Sequence, residues 1–438
     1  MRYDFSIAHL GKRTFRSPLK IDNFTNDNKK LLFNTRLDSY LSVTDKKGLP
    51  PSVELAGPRD KLFFNPAETK AAIVTCGGLC PGINDVIRSI TTALYFNYNV
   101  KNIVGVKYGL RGLNPDFKHE LVRLSPEVVK DIGSFGGSIL STSRGPQDVR
   151  VIVDYLTTLN INILFCIGGD GTIRAAEKIT AEINKRHLKI AVVCIPKTID
   201  NDLHLIQKSF GFDTAIEKAA EAIKSAHVEA RGMFNGIGLI KIMGRHSGHI
   251  AAYAALAQSD VNFVLIPEVP FDLEGKNGFL TALKKRMASR GHAVIIVAEG
   301  AGQDLLKKNN LPSEKDASGN IRLLDIGLYL RQAIENYFKK ETMEINLKYI
   351  EPSYLIRSVP SNASDDIYCN MLGQYAVHAG MAGKTGILVG LMKDEYVHLP
   401  LKAVASGRKI DPRSDIWLRV METTGQPASM KNRCNSKT

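Results

Sequence analysis

Two short turns hold the residue types that phosphoryl transfer needs. The first is Gly168-Gly169-Asp170-Gly171-Thr172, which follows an apolar run over 161–167 and precedes Ile173, Ala176, Ile179 and Ile183 at helical spacing. A buried strand therefore runs through glycines into a helix. Glycines let backbone and phosphate oxygens approach closely, and a helix start offers unpaired N–H groups with partial positive charge. Asp170 is badly placed for direct phosphate contact, because like charges repel, but well suited to Mg²⁺ bridging phosphates. The plainer reading is a tight turn with Asp170 as helix cap.

The second turn, Pro196-Lys197-Thr198-Ile199-Asp200-Asn201-Asp202, follows another apolar run over 189–195. On its own it reads as a polar turn. Beside the first it gains meaning, because ligands of open α/β sheets gather outside the carboxyl ends of the strands. One turn then binds a phosphoryl donor, and a carboxylate of the other takes the proton from an acceptor hydroxyl.

Further motifs continue the pattern: Gly77-Gly78-Leu79-Cys80-Pro81-Gly82-Ile83-Asn84, a run over 136–145 ending in Ser143-Arg144-Gly145, Met243-Gly244-Arg245-His246-Ser247-Gly248, Val297-Ala298-Glu299-Gly300 and Tyr354-Leu355-Ile356-Arg357. In type and order these resemble the 6-phosphofructokinase family over about residues 57–370. Ala56-Gly57-Pro58-Arg59 and Gly145-Pro146-Gln147-Asp148 resemble its branch from plants, trypanosomatids and some bacteria and protists.

The resemblance implies phosphorylation of fructose 6-phosphate at the 1-hydroxyl by Mg-ATP, in an allosteric glycolytic enzyme. The implied fold is α/β, with two Rossmann-like three-layer α/β/α domains and the active site in the cleft between them. Asp200 matches the general base, Thr198 a hydroxyl partner of the transferring group, and Asp202 a polar support, with Ile199 between them in the substrate turn. Asp170 matches the magnesium position. Gly78, Arg144, Gly145, Gly169, Gly171 and Thr172 match the nucleotide-phosphate positions. Met243, Gly244 and Arg245 match the sugar-phosphate turn, with Arg245 also at the reacting end. Glu299 matches an acceptor of sugar hydroxyls, and Tyr354 and Arg357 match the 6-phosphate end. Lys348 is a further cation, in this family often reaching in from a neighbouring subunit of a homotetramer. Two positions depart from the short bacterial pattern: Tyr354 replaces a histidine, and Gly236 stands where an arginine crosses the subunit interface. Glu268 lies where some relatives bind an effector's metal.

Donor choice rests on Gly171 and Lys197. By resemblance, glycine at 171 goes with ATP, since an aspartate there would crowd and repel the α-phosphate. Lys197 matches the lysine of pyrophosphate users, so a pyrophosphate-dependent enzyme is the alternative. Gly171 is given the greater weight. A lipid or NAD kinase shares only the Gly-Gly-Asp-Gly turn, and a noncatalytic paralogue is disfavoured by Asp170, Asp200 and Arg245.

Alternation of apolar runs with glycine turns predicts parallel sheets covered by helices. The expected domains are an N-terminal extension (1–70), a phosphoryl-donor domain (71–211 and 356–410), a sugar-phosphate domain (212–355) and a C-terminal tail (411–438) poor in core residues. Residues 307–320 read as a surface loop.

The chain has 438 residues and a net charge of +14, with Lys and Arg dispersed rather than gathered into a nucleic-acid stripe. This charge suits steering of anionic substrates. No membrane-length apolar run or signal peptide is evident, which points to the cytoplasm. Of the six cysteines, Cys76 and Cys80 lack a second nearby pair for zinc; the thiols read as reduced and packed.

Overall fold

The computed structural model describes residues 4–35, 37, 50–306, 322–404 and 407–432. The expected loop over 307–320, Cys434 and the final residues lie outside the described residues. The chain divides into two compact units.

The first unit comprises Met1–Ile199, Leu203–Gly211 and Ser358–Ser406. It holds a nine-stranded sheet in the order Lys30–Leu32, Ser52–Leu55, Glu395–Pro400, Ile387–Met392, Ala191–Pro196, Ile163–Gly168, Lys70–Thr75, Asn102–Val106 and Leu121–Arg123. The five strands from Ile387–Met392 to Asn102–Val106 are parallel, and the flanking strands pair antiparallel. Side chains alternate across the pleat. Ile163, Phe165 and Ile167 join one core with Val86, Ile87 and Leu372 of the helices Ile83–Thr92 and Ala363–Met381. Leu164 and Cys166 join the opposite core with Val153, Leu156, Ile173 and Ile179 of the helices Val149–Thr158 and Asp170–Lys185. Helices thus cover both faces, and each large apolar side chain buried there contributes about 1.5–3 kcal/mol.

The N-terminal extension supplies two strands of this sheet, and Ala8–His9 pairs with Lys384–Thr385. Its register is set by partners more than three hundred residues away, including Glu54 opposite His398. The five described cysteines are free and buried.

The second unit comprises Asp200–Asp202, Phe212–Arg357 and Gly407–Thr438. Its four-stranded sheet, in the order Phe263–Leu265, His292–Ala298, Gly236–Ile242 and Asn346–Ile350, is parallel throughout. Phe279, Leu283, Leu330 and Ile334 on the helices Phe279–Arg290 and Ile326–Lys340 fill its core. The tail differs from expectation by contributing to this packing. Trp417 and Val420 are buried on the helix Asp415–Thr424, and Met430 enters the core. Few apolar residues suffice when they recur at helical spacing. No helix among the described residues is long and apolar enough to cross a membrane.

Candidate phosphoryl-transfer site

In the first unit, Gly169 is the N-cap of the helix Asp170–Lys185 and makes no side-chain cap hydrogen bond. Asp170 is the first helical residue rather than its cap, half-buried and ion-paired with Arg174 one turn on. A Cβ on Gly168 would lie 2.2 Å from Thr172 Oγ1, and one on Gly169 would lie 3.1 Å from the Lys197 carbonyl oxygen. Nothing lies within 4 Å of a Cβ on Gly171. Its neighbours therefore do not require glycine at 171, which leaves open space at the helix start.

Pro196 pairs in register with Gly168, so the two turns leave the same sheet edge side by side. Lys197 is only 5% exposed; its backbone N–H donates to the Gly168 carbonyl at 3.0 Å and its Nζ to the Gly78 carbonyl at 2.7 Å. This lysine ties the second turn to the turn at Gly77-Gly78. Gly77 takes a φ of +89°, and its carbonyl accepts from Thr142 Oγ1 at 2.8 Å. The exposed Arg144 brings Nη2 to 3.0 Å from where a Gly78 Cβ would sit, and Gly145 follows with a φ of +97°. Gly78, Arg144, Gly145, Gly169, Asp170, Gly171, Thr172 and Lys197 are thus gathered at the carboxyl edge of three neighbouring strands. The Thr198 carbonyl accepts from Ser209 Oγ at 2.5 Å, fixing the backbone before Ile199.

Mg²⁺ typically takes one or two protein carboxylates and fills its remaining positions with phosphate oxygens and water. A half-buried carboxylate at a helix start, beside glycines that leave room for phosphate, fits that chemistry, so Asp170 would hold the ion. Among the described residues, no group of three or more His, Cys, Asp or Glu forms a metal cage.

In the second unit, the backbone N–H groups of Gly407 and Arg408 donate to the Asp202 carbonyl at 3.1 and 2.9 Å. Asn201 is buried with a φ of +51°, so Asp200 and Asp202 flank a left-handed residue. Gly244, with a φ of +135°, turns the chain sharply after the strand Gly236–Ile242. Its carbonyl accepts from the Gly300 N–H at 3.0 Å, and the Glu299 N–H donates to the Ile242 carbonyl at 2.9 Å. The turns 243–245 and 299–300 are therefore locked together through backbone. Burial raises the Glu299 carboxyl above its usual range, opposed by the nearby charges of Arg245, Lys241 and Arg357. Arg357 also stacks over the Tyr354 ring at 4.9 Å, and Tyr354 is 73% exposed.

Lys348 is set apart from the turn at Met243. It is exposed and in register with Gly238, five residues before Met243 on the neighbouring strand, which is roughly 16 Å along the sheet. At Gly236, a Cβ would lie 2.1 Å from the Ala230 carbonyl oxygen. Close packing thus excludes the arginine expected there from the short bacterial pattern. Glu268 spends its carboxylate on the N–H groups of Gly248 and Ile410. Burial, then Arg408, lowers His249 to about 4, and burial, then Arg245, lowers His246.

Sequence reasoning missed two features. Tyr108, 41% exposed after the strand Asn102–Val106, sets its ring 4.5 Å from that of His119. An aromatic before Gly109 at a strand end was the available signal. Lys241 bridges Asp325 at 2.8 Å and Glu351 at 3.0 Å. Its partners are distant in sequence, so no local motif announces it.

Two α/β units with glycine turns at the carboxyl ends of parallel strands define a phosphate-handling α/β protein. Residues 70–380 match the family model described as phosphofructokinase, and the chain belongs to that family. It is 50% identical over 441 residues to an ATP-dependent 6-phosphofructokinase of Borreliella burgdorferi, covering 98% of each chain. It is also 50% identical to ATP-dependent 6-phosphofructokinase 7 of Arabidopsis thaliana, covering 85% of this chain and 76% of that one. The fold is similar to the crystal structure of a pyrophosphate-dependent phosphofructokinase from Marinobacter aquaeolei, with a TM-score of 0.67 at 18% identity, covering 84% of this chain and 94% of that one.

Proposed function

We propose that this protein transfers the γ-phosphoryl group of Mg-ATP to the 1-hydroxyl of D-fructose 6-phosphate, giving fructose 1,6-bisphosphate and ADP in glycolysis. The observation that carries the ATP assignment is the open space at Gly171, with nothing within 4 Å of a Cβ there. A glycine that packing does not require leaves room for the α-phosphate, and the exposed face of Tyr108 gives a purine a stacking surface. The Lys197 contact to the Gly78 carbonyl gives that lysine a use independent of pyrophosphate.

Asp200 acts as general base on the 1-hydroxyl, with Thr198 and Asp202 supporting the turn. The glycine turns, Thr172 and Arg144 hold the donor phosphates. Mg²⁺, held by Asp170, supplies charge neutralisation on those phosphates. Met243, Gly244 and Arg245 orient the sugar phosphate, Glu299 accepts its hydroxyls, and Arg357 and Tyr354 face its 6-phosphate. Lys348 serves a neighbouring copy in a homotetramer; the exposed Phe234 and Leu355 support a partner surface on this unit. The free thiols support a reducing compartment, the cytoplasm.

The test is an assay of the purified protein with fructose 6-phosphate and Mg²⁺, with ATP and pyrophosphate in parallel. Product with ATP alone is expected. Product with pyrophosphate reverses the weight given to Gly171, and product with neither donor overturns the activity.

A further inference from the structure

The first unit carries a cavity of about 600 Å³ lined by the N-terminal extension. None of its lining residues belongs to the glycine turns. Lys12, Arg13, Arg59 and Lys61 contribute four cations to the lining, and Asp27 and Asp60 two carboxylates, a formal excess of +2. Asp27 does not offer an unopposed charge, because it is ion-paired with Arg13, with Arg59 at 2.7 Å and with Lys384 at 3.0 Å. Behind the wall, Glu54 is matched by Arg59 at 2.9 Å and Lys384 at 2.5 Å. The excess is therefore shared: Arg13, Arg59 and Lys384 exceed Asp27 and Glu54 by one charge, and the exposed Lys12 and Lys61 exceed Asp60 by one.

Arg59 is 2% exposed, so one wall is a fixed guanidinium rather than a mobile surface side chain. Its described contacts to Asp27, Glu54 and the carbonyls of Gly57 and Leu55 hold it in place. Two exposed lysines and Arg13 beside this fixed wall suit an anion that presents several acceptor oxygens. A phosphate monoester carries a charge of about −1.5 to −2 near neutral pH, which matches the excess. The volume lies within the usual range for small-molecule sites of about 300–1,000 Å³, more than bare phosphate fills. The Phe24 ring in the lining offers an apolar surface for the remainder.

We propose that this cavity is a binding site for a small phosphate monoester, held through Lys12, Lys61 and Arg13, with Arg59 fixing the wall behind them. Nothing in this assignment depends on the proposed reaction.

The test is hydrogen exchange of the full chain, read on peptides spanning 9–13, 24–27 and 59–61, with adenosine 5′-monophosphate and inorganic phosphate as probes. A local readout separates this cavity from the glycine turns. Adenosine monophosphate is expected to protect these peptides at lower concentration than inorganic phosphate. In the double variant Lys12→Gln/Lys61→Gln, the concentration for half-protection should rise by about tenfold or more, as loss of two charge-assisted contacts requires. Circular dichroism and turnover like those of the wild type would show that the variant is folded. No protection by either probe, or equal protection in wild type and variant, overturns the site; equal potency of the two probes overturns the monoester in favour of free phosphate.

Discussion

Gly171 in the first unit and Gly244 and Gly300 in the second use glycine for different purposes. A Cβ on Gly171 would meet nothing within 4 Å, whereas one on Gly300 would lie 2.0 Å from the Arg245 carbonyl oxygen and one on Gly244 2.6 Å from that of Ser247. The first leaves open space at a helix start. The other pair brings two backbone segments together so that Arg245 and Glu299 are preorganised. The charged groups differ as well: beside the Gly78 turn Arg144 is exposed and Lys197 buried, while Glu299 is half-buried near the charges of Arg245, Lys241 and Arg357.

The largest expected effect is at Asp200. If it is the base, Asp200→Asn lowers turnover by about 10²–10⁴-fold with little change in the KM for fructose 6-phosphate. Steady-state kinetics decide this, and unchanged turnover removes Asp200 from the role.

Gly300→Ala tests whether packing sets the paired turns at 243–245 and 299–300 and whether they hold the sugar phosphate. The added methyl must displace the Arg245 carbonyl, costing about 1–3 kcal/mol in urea unfolding. The KM for fructose 6-phosphate should rise while that for ATP stays unchanged. A rise confined to ATP would contradict the division between the two regions.

Glu299→Gln is expected to raise the KM for fructose 6-phosphate about tenfold, a loss of about 1.4 kcal/mol. It also carries a pH signature. Burial raises the Glu299 carboxyl, so the folded state holds that proton more tightly than the unfolded chain. Its contribution to stability therefore declines as pH rises from 4.5 through the raised value, and Gln removes that decline. Glu54 in the first unit has the opposite sign. Burial raises it, but His398 and Lys384 more than offset this and lower it to about 2, so its contribution is present above 4.5 and lost as pH falls toward 2. Urea midpoints of Glu54→Gln and Glu299→Gln from about pH 6 to about pH 3 should diverge from wild type in opposite directions.

The parts of this division visible in the sequence were those encoded locally. The apolar runs over 161–167 and 189–195 became strands Ile163–Gly168 and Ala191–Pro196, and Ile173, Ala176, Ile179 and Ile183 form the buried face of the following helix. Strand, turn and helix each leave a short-range pattern. The Lys241–Asp325–Glu351 bridge and the Glu54–His398 pairing do not, since their partners are brought together only by the completed fold. Trp417 was hidden for another reason: a polar tail can bury one face when only every third or fourth residue is apolar. Open space at Gly171 and closed packing at Gly300 look alike as letters, and only the neighbours distinguish them.

The smallest expected effect is therefore the most discriminating. Gly171→Ala places a methyl where nothing lies within 4 Å, on a helix whose interior favours alanine over glycine. Thermal unfolding should move within about ±0.5 kcal/mol of wild type. Turnover with ATP should show the cost instead, as a raised KM for ATP and an unchanged KM for fructose 6-phosphate. Extending the side chain with Gly171→Asp should deepen the loss for ATP by repulsion, while leaving stability near that of Gly171→Ala. If Gly171→Ala unfolds the protein, the glycine serves packing after all and the contrast with Gly300 fails. If both variants retain the wild-type KM for ATP, the space at 171 is not where the donor lies.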